Sequence, residues 1–196
     1  AYARSKGVQV NNTPAASSQS VAELVMGHLF TLSRFLHDSN RRMPVEGGEQ
    51  FKALKKAYGK GRELRGMTLA VVGFGRIGQS LAQYAIGCGM KVIGVDQTTG
   101  KQVLAVDIAG QQISVDVPLV TLDEALAAAD AMSLHIPAQA DGQAVIDAEA
   151  IAKMKPGALL LNAARGGVVD EDAMLEALDS GQLGGAGVDV FVGEPK

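Results

Sequence analysis

The spacing of apolar residues along the chain changes at about residue 67. Upstream, Val21, Leu24, Val25, His28, Leu29, Leu32 and Leu36 recur at helical intervals and mark one stripe of an amphipathic helix over residues 20–36. Ser20-Val21-Ala22-Glu23 has the spacing of a capping box at its start. Residues 39–66 are polar and crowded with Arg41, Arg42, Lys52, Lys55, Lys56, Lys60, Arg62 and Arg65, with Gly47-Gly48 and Gly59 interrupting them. That stretch reads as a solvated linker with one short helix.

Beyond Met67, short apolar runs alternate with helical stretches, the signature of βαβ units and a parallel sheet. Residues 69–72 are continuously apolar, as a strand buried on both faces requires. A helix over 76–86 and a strand over 91–95 follow, whereas residues 97–120 show no clear period. Thr121-Leu122-Asp123-Glu124 repeats the capping-box spacing ahead of a short Ala/Leu helix. Residues 132–134 and 158–161 read as strands, 170–178 as a helix stopped by Gly181, and 186–190 as a last strand.

Composition narrows the class. At 196 residues with 47% hydrophobic positions, the chain can bury a full core. Gly accounts for 24 residues without a fixed period, which excludes collagen. One Cys excludes an intramolecular disulfide framework and a multi-cysteine zinc site, and points to a reducing, cytoplasmic setting. A net charge of −3 gives no bulk attraction to nucleic acid or an anionic membrane. No apolar run approaches a membrane span and the first residues do not open a signal peptide.

Gly73-Phe74-Gly75-Arg76-Ile77-Gly78 directly follows the strand 69–72 and opens a helix. In that context Gly73 permits the tight turn, Gly75 lets backbone approach a pyrophosphate, and Gly78 lets helix and strand pack closely. The helix N-terminus offers unpaired N–H groups to the phosphates. Asp96 ends the next strand, 18 positions after Gly78. A carboxylate there accepts from ribose hydroxyls and repels a 2′-phosphate, favouring NAD over NADP. The expected fold class is therefore α/β, a Rossmann-type doubly wound parallel sheet forming a single nucleotide-binding domain. Farther on, Arg165 lies in a Gly-rich loop after an apolar strand, where a guanidinium can grip a carboxylate bidentately.

The fingerprint with Asp96, His135-Ile136-Pro137, the run Asn162-Ala163-Ala164-Arg165-Gly166-Gly167-Val168-Val169-Asp170-Glu171, and Asp189-Val190-Phe191 with Glu194-Pro195 together resemble the D-isomer-specific 2-hydroxy acid dehydrogenases. The likeness runs from about Gly7 to Pro195. It implies a nucleotide-binding lobe, with the substrate lobe built from both chain ends of a longer enzyme. It further implies that Arg165 holds the carboxylate and carbonyl oxygens of a small 2-hydroxy or 2-keto acid. Glu194 would hydrogen-bond a catalytic His, raising its pKa and fixing its orientation. Arg76 and Ile77 would line the pyrophosphate, Asp96 the ribose, and His135, Ile136 and Pro137 the adenosine half. Ala163, Ala164 and Asp189 would surround the nicotinamide. Residues 1–66 would form a hinge helix and arm supporting a homodimer, and 67–196 the NAD-binding domain.

One departure limits the expectation. The family's catalytic His lies past the Glu-Pro motif, and this chain stops at Lys196. The chain is expected to bind NAD without turning over. His28 sits on the apolar stripe, His37 near the end of that helix, and His135 beside the cofactor loop, where none serves as general base. Cys88 reads as a packed small hydrophobe. Asn11-Asn12-Thr13 is a chance glycosylation match, and Asp170, Glu171 and Asp172 suit a helix N-terminus. An NAD-sensing, corepressor-type interaction module is the alternative from another class.

Overall fold

Leu69, Ala70, Val71 and Val72 are all buried, and they alternate between two cores. Leu69 and Val71 join one hydrophobic cluster, Ala70 and Val72 the other. This period-two division places their strand at the centre of a sheet covered on both faces.

The computed structural model describes residues 2–11, 13 and 15–194. Asn12 of the glycosylation match and Pro195 of the Glu-Pro motif lie outside them. In chain order the elements are α1 (Tyr2–Ser5), α2 (Ser18–Arg34), α3 (Leu36–Tyr58), β1 (Thr68–Val72), α4 (Arg76–Gly87), β2 (Lys91–Val95), β3 (Gly100–Ile108) and β4 (Gln111–Leu119). They continue with α5 (Leu122–Ala128), β5 (Ala131–Leu134), α6 (Ala148–Lys153), β6 (Ala158–Asn162), α7 (Glu171–Ser180) and β7 (Leu183–Val188). The strand order is β3-β4-β2-β1-β5-β6-β7. The pairs β2–β1, β1–β5, β5–β6 and β6–β7 are parallel. Helices α2 and α4 cover one face through Val25, Leu29, Leu81 and Ala85, and α5, α6 and α7 cover the other through Leu126, Ile151 and Met174. Each fully buried Leu contributes roughly 1.5–3 kcal/mol relative to exposure.

Several expectations hold with small shifts. β2 occupies the residues its pattern marks, and the Thr121–Glu124 capping box forms reciprocally at α5. Asp170 caps α7 by accepting from the Ala173 N–H, and Gly181 ends it with a φ of 78°. Residues 183–188 form β7, not 186–190, paired with β6 from Ala158–Leu183 to Asn162–Val188, and Gly184 passes so close to the Gly157 backbone that a side chain there would collide.

Three readings require correction. First, residues 39–66 are not a linker, since α3 runs 23 residues through them and bends at Gln50 after the Gly pair. Arg42 donates twice to Glu46, at 2.9 Å each, and such i,i+4 pairs offset the cost of two helical glycines in part. Second, the Ser20–Glu23 capping box does not form; α2 begins at Ser18 and the Ser20 hydroxyl donates to the Ser17 carbonyl. Its buried face is Ala22, Val25, Met26 and Leu29, leaving Leu24 and Leu36 of the expected stripe 41% and 49% exposed. Third, residues 97–120 form a nine-pair antiparallel hairpin, β3–β4, turning at Ala109-Gly110. It joins the sheet through the Gly94–Leu119 pair, so the sheet is mixed, not wholly parallel. A helix outside the segments read from the pattern, α6, forms over Ala148–Lys153, and Asp147 caps it by accepting from the Ala150 N–H.

Candidate functional site

The sheet's winding reverses between β1 and β5, and a crevice opens there beyond the carboxyl ends of the strands. Its geometry begins with three glycines that have three different reasons to be glycine. Gly73 has a φ of +92°, and a Cβ on it would stand 2.6 Å from the His135 carbonyl oxygen. A Cβ on Gly78 would stand 2.4 Å from the Gly73 carbonyl oxygen and 2.8 Å from Val71 Cγ1, so helix and turn touch through backbone. Gly75 has nothing within 4 Å of its Cβ position and is exposed, which leaves its backbone open to a ligand at the start of α4. Arg76 is exposed at the helix N-terminus and Ile77 is half-buried behind it.

Asp96 is tied to this turn. Its Oδ2 accepts from the Phe74 N–H at 3.0 Å and its Oδ1 from the Gln97 N–H at 2.8 Å. The carboxylate is thereby fixed at the crevice wall with lone pairs remaining for a further donor. A cleft of about 540 Å³ opens beside it, lined by Gly73, Asp96, His135, Ile136 and Pro137 among others. The hollows beside α2 and α3 have no fingerprint glycine and no Asp96 in their walls, whereas this cleft adjoins both.

His135 is seated from both sides. Its backbone N–H donates to the Val72 carbonyl at 2.7 Å, and Nε2 lies 2.9 Å from the Oγ of the fully buried Ser133. Nδ1 is buried without a partner. Burial pushes the imidazole down to about 4, so it is neutral at ordinary pH. It is a wall, not a proton shuttle at neutral pH.

The second group stands at the ends of β6 and β7. Asn162 is the buried polar residue that closes an apolar strand. Its Nδ2 donates to the Arg165 carbonyl and its Oδ1 accepts from the Ala164 N–H, each at 3.1 Å. This clamp buries Ala164, half-buries Ala163 and turns Arg165 outward, exposed, with Nη1 donating to the Ala164 carbonyl. A Cβ on Gly166 would fall 2.1 Å from the Phe191 carbonyl oxygen, so the loop after β7 rests on Gly166. The Asp189 N–H donates to the Asn162 carbonyl, and Asp189 is exposed. Glu194 Oε1 accepts from the Phe191 N–H, and Glu171 Oε1 accepts from Val192 N–H at 2.8 Å. Glu171 thus ties that loop down as well as standing in the first turn of α7. Among the described residues no ion pair joins Arg165 to Glu194 or Asp189; both ends of the pair face outward separately.

Sequence reading therefore locates the two groups but misses the residues that hold them. Ser133, Asn162 and the Gly166–Phe191 approach are the scaffolding. Only Asn162 carries a signal, as an amide ending an otherwise apolar run.

The residues fit a dinucleotide on structural grounds: an open glycine backbone at a helix start, a fixed acid on the next strand, and an apolar cleft between. Known proteins agree. The family model described as "D-isomer specific 2-hydroxyacid dehydrogenase, NAD binding domain" matches residues 26–196. Hydroxypyruvate reductase of Thermotoga maritima is 41% identical over 193 residues, covering 98% of this chain and 58% of that protein. D-3-phosphoglycerate dehydrogenase 2 of Saccharomyces cerevisiae is 37% identical, covering 99% and 38% respectively. The chain thus spans less than two thirds of the length of these curated relatives. Among solved structures, D-lactate dehydrogenase of Aquifex aeolicus complexed with NAD and lactic acid superimposes with a TM-score of 0.74 at 34% identity, covering 98% of this chain and 54% of that one. Fold, fingerprint and relatives converge: the chain belongs to the D-isomer-specific 2-hydroxyacid dehydrogenase family and is its NAD-binding domain.

Proposed function

We propose that this domain serves an NAD-dependent oxidoreductase that converts a D-2-hydroxy acid to the 2-keto acid, with 3-phosphoglycerate as the substrate and serine biosynthesis as the setting. When bound, NAD accepts the hydride that leaves C2 of the hydroxy acid. The chain's own residues bind and orient. Gly73, Gly75, Arg76, Ile77 and Gly78 hold the pyrophosphate, Asp96 the adenosine ribose, and His135, Ile136 and Pro137 the adenosine side. Ala163, Ala164 and Asp189 shape the nicotinamide side. Arg165 holds the substrate carboxylate, and Glu194 orients the His that takes the hydroxyl proton, supplied from chain beyond residue 196.

The observation that carries this reading is the Asn162 clamp, which presents an exposed Arg165 guanidinium at the end of β6, on the crevice side of the sheet. A buried amide satisfied on both its nitrogen and its oxygen rigidifies the loop and so fixes where Arg165 stands. The observation favouring a second substrate, hydroxypyruvate, is the 41% identity to the Thermotoga maritima enzyme. The cytoplasm is the proposed location, residues 1–66 the arm and 67–196 the cofactor domain. A homodimer is proposed through α2, whose Leu24 and Phe30 are each 41% exposed. Among the described residues no helix is long and apolar enough to cross a membrane.

The test is made in the parent enzyme. Arg165→Ala and Glu194→Gln should each lower turnover at least a hundredfold on both 3-phosphoglycerate and hydroxypyruvate while NAD affinity stays within threefold. Unimpaired kinetics in both variants would end the dehydrogenase reading in favour of an NAD-binding interaction module.

A further inference from the structure

The β3–β4 hairpin leaves β3 at the rim of the sheet, with β4 on one side and, among the described residues, no strand on the other. β3 has nine residues, about 30 Å of open edge at 3.4 Å per residue. Edge strands of that length are ordinarily shielded by a proline, a bulge or a charge in mid-strand. Here the middle of the strand is Gln102-Val103-Leu104-Ala105-Val106, with a cation only at Lys101 and an anion only at Asp107. Proline stands in the neighbouring strand, at Pro118 of β4, not on the open edge of β3. Val103, Ile108 and Ile113 of the hairpin are 61%, 53% and 45% exposed.

The edge is complementary to itself. A two-fold axis perpendicular to the sheet lays one β3 antiparallel to another and keeps their faces matched, so paired residue numbers must sum to an even value. Full overlap of Gly100–Ile108 with its copy centres the axis on Leu104. That register sets Lys101 opposite the second copy's Asp107, at both ends of the strand at once, and Val103 opposite Ala105. Shifting by two residues in either direction unpairs both charges. Lys101 already lies 2.9 Å from Asp116 within its own chain, and Asp107 accepts from the Gly110 N–H and from Gln112. Both groups are exposed and keep capacity for a partner across the axis. One side chain covers the edge in the free chain: Gln83 of α4 donates to the Ala105 carbonyl at 2.9 Å and must swing away for the strands to meet.

We propose that the β3 edge is a self-association surface at which a second copy of this chain adds its own β3 antiparallel, in the register Lys101–Asp107, to make one continuous sheet across two domains. It is separate from the cofactor crevice and from the exposed face of α2, and it does not rest on the catalytic reading. Hairpin edges of this kind associate through main-chain hydrogen bonds, with side-chain pairs selecting the register.

The test is a charge swap read by hydrogen exchange of the chain at rising concentration, with sedimentation velocity alongside. β3 amides should gain protection as concentration increases, with a matching rise in the larger species. Lys101→Asp and Asp107→Lys each place like charges opposite one another at both ends and should weaken association about tenfold. The double variant restores opposite charges across the axis and should recover association, although the carboxylate introduced at position 101 still faces Asp116 in its own chain. That recovery separates pairing across the axis from local damage to the hairpin. Circular dichroism and NAD titration should be unchanged in all three, which keeps folding out of the readout. β3 protection that is independent of concentration would overturn the proposal, as would a double variant as weak as the singles.

Discussion

Alanine at Gly78 and at Gly75 should separate what the turn does for folding from what it does for the cofactor. At Gly78 the new Cβ would lie 2.4 Å from the Gly73 carbonyl oxygen and 2.8 Å from Val71 Cγ1, against ordinary contacts of 3.4–4 Å. The nearer overlap is therefore about 1 Å, against backbone that cannot rotate away. Overpacking of this kind costs roughly 1–3 kcal/mol, and the upper end applies where backbone is the obstacle. The gain in helix propensity from Gly to Ala returns roughly 1 kcal/mol. A net loss of about 2 kcal/mol lowers the Tm of a chain this size by about 4–8 °C. The same shift moves the Gly73 carbonyl and with it the phosphate turn, so NAD affinity falls too. At Gly75 the Cβ meets nothing within 4 Å, and its φ of −76° with ψ of −160° is open to alanine. Stability should stay within about 0.5 kcal/mol, while NAD affinity falls at least tenfold because the methyl group occupies the phosphate's approach. Differential scanning calorimetry and isothermal titration with NAD measure both. An unshifted Tm in Gly78→Ala, or undiminished NAD binding in Gly75→Ala, would refute the assignment of roles.

Three further outcomes are expected. Asn162→Ala removes both bonds that clamp the Arg165 loop and leaves the buried Ala164 N–H unpaired at about 1–3 kcal/mol; in the parent enzyme it should lower turnover more than NAD affinity, by steady-state kinetics and titration. His135, pushed down to about 4 by burial, should show no titration midpoint between pH 5 and 9 by NMR. Its neutral form is favoured by folding, so its contribution is complete above the ordinary His value of about 6.5 and is lost as pH falls from there towards 4; His135→Gln should flatten that part of a stability–pH curve. Burial pushes the Asp130 carboxyl up, but hydrogen bonds from the Thr68 N–H and Lys155, with the charges of Lys155 and Arg62, outweigh it and hold the group below its ordinary value. That stabilisation is present above the ordinary carboxylate range and disappears as pH falls through it, so Asp130→Asn should lower Tm at pH 7 more than at pH 3.

What the chain discloses by itself depends on how locally each feature is determined. The residue 69–96 unit is legible because strand, turn, helix and acid each follow from a short pattern with its own physical reason. The hairpin is not, although Ile113, Val115, Val117 and Leu119 alternate strictly with Ser114, Asp116 and Pro118, because Pro118 and a weaker pattern in the partner strand obscure the period. α3 is hidden for the opposite reason: Gly47-Gly48 and Pro44 argue against a helix locally, while salt links along its surface and the burial of Leu54 decide for one. At the site, Gly73, Gly75, Gly78 and Asp96 are read from spacing, since contiguous chain builds that turn. The contacts of Ser133 with His135, and of Gly166 with the Phe191 carbonyl, join side chains or loops whose meeting depends on neighbouring strands, and spacing carries no record of them.

The most direct measurement is a titration of the chain with NAD and with NADP under one set of conditions, repeated with Asp96→Ala. Saturable one-to-one NAD binding, at least tenfold tighter than NADP, is the predicted result, with the preference largely lost in the variant. Equal affinity for the two dinucleotides, or a preference that survives the loss of the Asp96 carboxylate, would contradict the site described for this domain.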